Sequence, residues 1–404
     1  EFCLSYARLA LHLVQLDTLA MNQLIEDPDN QPLDLISRAY LPSLGWILSI
    51  TPVPFYRAME KVYGSVVSNM VARINDQVAS SPLDAVQRLS EYTRCLLALV
   101  PRLPVLSQTL ALVLPVAHML VDSGTERRKY SADESLIDTP VYRCTLKGVY
   151  ALLREVNEKY QTHVSKKLSW ATGDTSDTIL RYVSLAYHCI CLNDLDFASH
   201  EIARDLGIEL PEVATPDDCA SIILYIWRLG LLKKQVMDGR MELRVHGMET
   251  MQNDLVNAWR LYLQNSPPGA EPPVIRYLVS FLRDNHIVDY VLGVDSHPQL
   301  IGRTANIVGF LVVTSTYTDL DTDTIWKTVV ESQDPRTVAE VLGMFTKVFH
   351  ILQPTALLYL CSKLLELPLE RFDTRMVEFC EQLFHVVREK HADGKRVAPL
   401  DNLH

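Results

Sequence analysis

In the stretch "RMELRVHGMETMQNDLVNAWRLYL", residues 240 to 263, His246 stands three residues before Glu249. On a helix that spacing puts both side chains on one face, where an imidazole beside a carboxylate could relay a proton. A second group, "HCICLNDLDFASHE", gathers His188, Cys189, Cys191 and His200, residue types that hold zinc. A third, "TDLDTDTIW", alternates Asp319, Asp321 and Asp323 as the opening of a calcium loop does.

Each group has a plainer reading, and the spacing favours it. A stripe of Met241, Val245, Met248, Met251 or Gln252, Leu255 and Trp259 must press the 240–263 helix against other helices. Gly247 beside that stripe lets a neighbouring backbone come close, at a cost of ~1 kcal/mol in helix propensity relative to alanine. A Cys-x-Cys pair on a helix turns its thiols about 200° apart, and no zinc spacing is matched. The three aspartates lack the central glycine and closing glutamate of a calcium loop, and Asp321-Thr322 reads as helix capping. No cysteine sits in a Gly- or Asn-rich turn, and Gly-x-Ser-x-Gly, Gly-x-Gly-x-x-Gly and Gly-Lys-Ser are all missing. The sequence therefore assigns no catalytic residue, no metal ligand and no cofactor.

What must position these residues is a series of amphipathic helices. In "PLDAVQRLSEYTRCLLALV", Leu83, Val86, Leu89, Tyr92, Leu96 and Val100 share one face, behind a cap at Ser80-Ser81 and a first-turn Pro82. The same period predicts helices over 105–121, 141–168, 177–192, 218–236, 274–283, 335–352, 355–365 and 374–390. "IVGFLVVTSTYT", 307–318, is the one β-branched run, and between helical neighbours it reads as a buried helix ending near Thr316. The class is all-α. Helices joined by short breaks pair as antiparallel hairpins, and an irregular armadillo/HEAT-like helical solenoid fits best because no strict repeat period appears.

The solenoid is expected to run over 1–122, 141–264 and 274–392. A polar loop at 123–140 and the proline-rich break "NSPPGAEPP" at 265–273 separate these parts, and 393–404 is a tail. At 404 residues the chain exceeds the usual ~100–200 of one domain. Its start without Met, and Glu1-Phe2, read as a fragment with a cloning scar.

Hydrophobic residues make up 48% and charged residues 22%, which is ample for a packed core. The net charge of -11, with no basic run, argues against nucleic acid and anionic membrane and for protein partners. The longest apolar stretch, Leu110 to Val121, is broken by Pro115 and His118 and is too short to span a bilayer. Eight scattered cysteines in apolar windows read as buried reduced thiols, placing the chain in cytoplasm, nucleus or both.

The 240–263 helix also opens an ordered series. "LRVHGMETM" is followed by "NHIVDYVLGVDSHPQLI", "NIVGFL" and "LDTDTIW". The series resembles the long non-catalytic region of the giant fat-facets-like ubiquitin-specific proteases. Arg244, Gly247, Asn285, His286, Gly293, His297, Phe310, Leu311, Ile325 and Trp326, with Asp321 or Asp323, stand at the matching positions. The likeness covers residues 240 to about 360, and departs from the family at "VVTSTYT" and over 327–332. It implies an armadillo-like scaffold outside the catalytic domain of a deubiquitinating thiol protease (a ubiquitin carboxyl-terminal hydrolase), recruiting partner proteins, ubiquitinated substrates among them. The family's cysteine and histidine boxes are missing here, so the fragment is expected to lack peptidase activity. His286 and His297 are then expected to satisfy buried polar groups at helix ends, and Trp326 to anchor a hairpin. Two rival readings remain: a karyopherin- or coat-like trafficking adaptor, and an all-α enzyme using His246 with Glu249 or His188 with its neighbouring cysteines.

Overall fold

The computed structural model describes residues 140–393 apart from 170, 212–214 and 268–270, together with scattered positions between 89 and 121. Most of the expected 1–122 helical part, the 123–140 loop up to residue 139 and the tail from residue 394 lie outside the described residues, as do Cys3 and Cys95. The described residues are helical with no strand, so the fold is all-α. No described helix is long and apolar enough to cross a membrane. Contacts divide the chain into two units, Glu1–Leu210 and Pro211–His404. That division falls inside the 141–264 part, at residues 208–211, which are not helical.

In the first unit α1 (Pro140–Ser165) packs on α2 (Gly173–Asn193). Tyr142, Leu146, Val149, Leu153, Val156 and Tyr160 recur every three or four residues on α1 and are fully buried. Thr172 caps α2, its hydroxyl accepting from the Thr175 N–H at 3.2 Å. Asp194 then opens α3 (Leu195–Phe197), which runs through a π-helical turn (Ala198–Ile202) into α4 (Ala203–Asp205). The π turn was not legible, since nothing in "ASHEI" sets it apart from ordinary helix. Tyr150 ties α1 to this end: its ring lies edge-on to Tyr187 and Phe197, at 5.6 and 5.5 Å, and its hydroxyl donates to Asp205 at 2.9 Å.

The second unit holds α5 (Pro216–Asp238), α6 (Met241–Tyr262), α7 (Pro273–Asp284), α8 (Ile287–Leu292), α9 (Pro298–Ile301) and α10 (Ala305–Val313). It continues with α11 (Asp319–Glu331), α12 (Pro335–Val348), α13 (Pro354–Leu365), a 3-10 turn (Leu369–Arg371) and α14 (Thr374–Asp393). Pro216, Pro273, Pro298, Pro335 and Pro354 each sit in a helix's first turn, where the missing N–H costs nothing. The proline-rich break at 265–273 ends one helix and starts the next, yet α6 and α7 still pack together. Helices meet near neighbours in chain order: α5 with α6 and α7, α6 with α10, α12 with α9, α10, α11 and α14, and α13 with α11 and α14.

Several expectations are corrected. The buried face of α6 is Leu243, Gly247, Met248, Met251, Asp254, Leu255, Val256, Ala258 and Trp259, while Met241 and Val245 are only half-buried. The stripe is rotated because α6 has neighbours on several sides, α5, α7, α9 and α10. The 307–316 helix is buried on all sides as expected but ends at Val313. Ser315 takes a left-handed conformation (φ 58), and the Thr316 and Tyr317 N–H groups fold back onto the Leu311 carbonyl. Cys191 and Cys219 are buried thiols, but Cys144 is exposed and Cys189, Cys361 and Cys380 are half-buried; none of these six is bridged.

Candidate functional site

The groups that could do chemistry are built into ties between helices. Glu249 is engaged by Arg303 at 2.5 Å across an exposed edge of α6. His246 sits half-buried beside Gly247, whose missing side chain leaves room for Gln235 and Val236 of α5. A Cβ at 247 would stand 3.0 Å from Gln235 Cβ, so the glycine makes room for side chains of α5 rather than for the neighbouring backbone that its position implied.

The cysteine–histidine group is split. Cys189 donates to the Leu120 carbonyl at 3.6 Å, Cys191 is wholly buried near Tyr150 and Tyr187, and His200 lies exposed on the π turn beside Asp196 at 3.2 Å. Among the described residues, no three His, Cys, Asp or Glu side chains converge as metal ligands.

The three aspartates also part company. Asp319 is exposed in the first turn of α11. Asp321 is a capping-box residue, not the cap itself: it accepts from the Thr318 N–H at 2.8 Å and from the Thr318 hydroxyl at 3.0 Å. Buried to 5% exposure, it also receives Arg283 in a two-pronged ion pair, while Arg283 donates to the Thr316 carbonyl at 2.6 Å. Asp323 accepts from the Tyr359 hydroxyl at 2.9 Å and pairs with Lys363 at 2.9 Å, joining α11 to α13. The Lys363 hydrogen bond, aided by Tyr359, holds the Asp323 carboxyl below the usual range. Arg228 of α5 and Asp254 of α6 form a second two-pronged pair, at 2.8 and 2.9 Å. Burial pushes the Asp254 carboxyl up and Arg228 opposes it. That pair was missed, and its only signal was an aspartate in the apolar register of α6.

A cleft among the described residues is not consumed by packing. This cleft of about 800 Å³ in the second unit is lined by Arg244 of α6, Asp289 and Tyr290 of α8, the Gly293–Ser296 turn, and Thr324, Lys327 and Glu331 of α11. Its walls follow from the end of α5. Arg244 donates to the Val236 carbonyl at 2.8 Å and to the Tyr290 hydroxyl at 3.2 Å, and Tyr290 donates to the Met237 carbonyl at 3.1 Å. A cation at these last carbonyls meets the negative end of the helix dipole. Gly293 closes α8 so tightly that a Cβ there would lie 2.4 Å from the Asp289 carbonyl oxygen. Lys327 and Glu331, 3.9 Å apart and exposed, complete a rim of both signs with Asp289 and Asp295. Such a surface offers charge pairing and hydrogen bonds to a polypeptide; it presents no nucleophile beside a base.

Of the resemblance-bearing positions, Arg244 and Gly293 line the cleft. Asn285 caps α7, donating to Phe281 O at 2.8 Å and accepting from Lys233 at 2.5 Å. His286, left-handed (φ 50) and beside Asp289, and His297, accepting from the Gln299 N–H at 3.2 Å, are exposed at helix starts and satisfy no buried group. Phe310, Leu311 and Ile325 are fully buried, and Trp326 joins Phe345 and Phe379 at 6.4 and 6.2 Å, so it does anchor α11 in the core. No protein-family model, curated protein or solved structure matches the chain.

Proposed function

We propose that this chain is a non-catalytic interaction scaffold of a large fat-facets-like deubiquitinating cysteine protease. On this reading its helices form an armadillo/HEAT-like stack that holds substrate or partner proteins near a catalytic domain elsewhere in the parent. The observation that carries it is the meeting of Arg244 and Gly293, two positions of the ordered resemblance, at a cleft with an exposed rim of both charges. The remaining polar groups of the series support the reading too, since Asn285, Asp321 and Asp323 bind helices together and leave recognition to the surface.

The test is crosslinking capture from lysate with ubiquitinated proteins preserved, comparing the parent chain with Lys327→Glu/Glu331→Lys. Both side chains are exposed, so the exchange swaps the two charges of this rim pair without touching the core. Enrichment of ubiquitinated proteins by the parent chain, reduced by the exchange at unchanged Tm, is expected. Capture of cargo and small GTPases instead, or of no specific protein, would sink the proposal.

A further inference from the structure

The outer face of the last two described helices carries apolar side chains at the spacing of a core. α13 buries Leu357, Leu360 and Leu364, and α14 buries Met376, Phe379 and Leu383. Each helix repeats the pattern one residue on, with Leu358, Cys361 and Leu365 on α13 and Val377, Cys380 and Phe384 on α14. Leu358 is 58% exposed, Leu365 88%, Val377 44% and Phe384 55%. One residue is a rotation of about 100° on a helix, so each exposed stripe lies beside the buried one.

The two stripes form one surface. Lys390 near the end of α14 donates to the Leu352 carbonyl just before α13, while Cys380 and Cys361 lie within electrostatic reach of each other. The helices are therefore antiparallel, with the half-buried cysteines on the seam between the stripes. Leu369, 85% exposed, extends the surface at the connecting turn. A hairpin with a polar outer face needs no partner; this one shows solvent a paired apolar stripe.

Charge says what fits it. Glu381 and Arg388 are exposed, three residues before and four after Phe384, on the same edge of the stripe. A second copy laid antiparallel, with its two-fold axis beside Phe384, sets Glu381 of each copy against Arg388 of the other. The four helices then close a bundle around the exposed stripes. Helices of 12 and 20 residues side by side, roughly 18 and 30 Å long, offer an area on the order of the ~800 Å² per partner that a stable interface buries.

We propose that the outer face of α13 and α14 is a self-association surface, on which a second copy of the chain docks the same face across a two-fold axis.

Sedimentation velocity on the full chain over a concentration series tests this, with circular dichroism to monitor the fold. A concentration-dependent dimer is expected. Phe384→Glu, at an exposed site, should weaken it by roughly 30-fold or more. Glu381→Arg should weaken it as well, and adding Arg388→Glu should restore it. A chain that stays monomeric at the highest concentration reached, or a dimer indifferent to Phe384→Glu, would overturn the proposal. A double variant that fails to restore what Glu381→Arg loses would overturn the two-fold register.

Discussion

Gly247 stands so close to Gln235 that a methyl group at residue 247 would lie 3.0 Å from both the Cβ and the Oε1 of that side chain, and 3.3 Å from Val236 Cγ2. Gln235 is fully buried, which leaves its side chain little room to swing aside. An alanine would gain ~1 kcal/mol of helix propensity but incur an overpacking cost of about 1–3 kcal/mol. Gly247→Ala is therefore expected to lose about 1 kcal/mol in urea unfolding, and Gly247→Leu about 3 kcal/mol or more. An alanine variant more stable than the parent would show that α5 and α6 do not meet at this distance.

Arg228 and Asp254 share the same helix pair. Arg228→Met strands a carboxylate that is 8% exposed and should cost about 3–5 kcal/mol. Arg228→Met/Asp254→Leu removes both charges, and most of that loss should return. Thermal melts of the single and double variants decide the matter: equal losses in the two would mean the ion pair is not what the buried acid requires.

The split among the aspartates of α11 predicts unequal losses. Asp321→Ala breaks a capping box and leaves Arg283 without its partner, an expected cost of about 3 kcal/mol or more. Asp319→Ala, on an exposed first turn, should stay within ~0.5 kcal/mol. Adding or chelating calcium should shift the melting temperature of neither variant nor of the parent. A calcium-dependent rise in the parent would restore the metal reading.

His350 links stability to pH. Its Nε2 is buried and meets no hydrogen-bond partner among the described residues; burial, and then the charge of Lys390, lower the pKa. The native state thus binds the proton less readily than the unfolded chain. Stability is fully present above the ordinary histidine value of about 6.5 and declines as pH falls below it. Melting temperatures followed from about pH 7.5 to about pH 5.5 should drop more for the parent than for His350→Leu. Parallel curves would place the acid sensitivity elsewhere.

Helices were the legible part, because first-turn prolines and three-or-four spacing are local signals. Pro216, Pro273, Pro335 and Pro354 mark starts that the structure keeps within a residue or two of expectation. The short α8 and α9 carry no periodic sequence signal beyond the resemblance, since six and four residues are too few to display a period. Partners were not legible. Arg228 finds Asp254, and Arg283 finds Asp321, across 26 and 38 residues, and no spacing rule connects positions that only packing brings together. The cleft was invisible for the same reason: Arg244 and Lys327 share it without sharing a helix.

The chain-order packing of the second unit has a mechanical side. The main contacts of α13 and α14 are with α11, α12 and each other, and those of α12 are with α9 to α11 and α14. Those of α6 reach from α5 and α7 to α9 and α10, so the described helices of this unit have their main partners within four places along the chain. Under a load applied at its two ends, the terminal helices α5 and α14, each with two main partners, are expected to give way before α6 and α12, each with four. Stretched in this way, the unit is expected to lose structure from its ends inward and to regain it outward from α6 and α12.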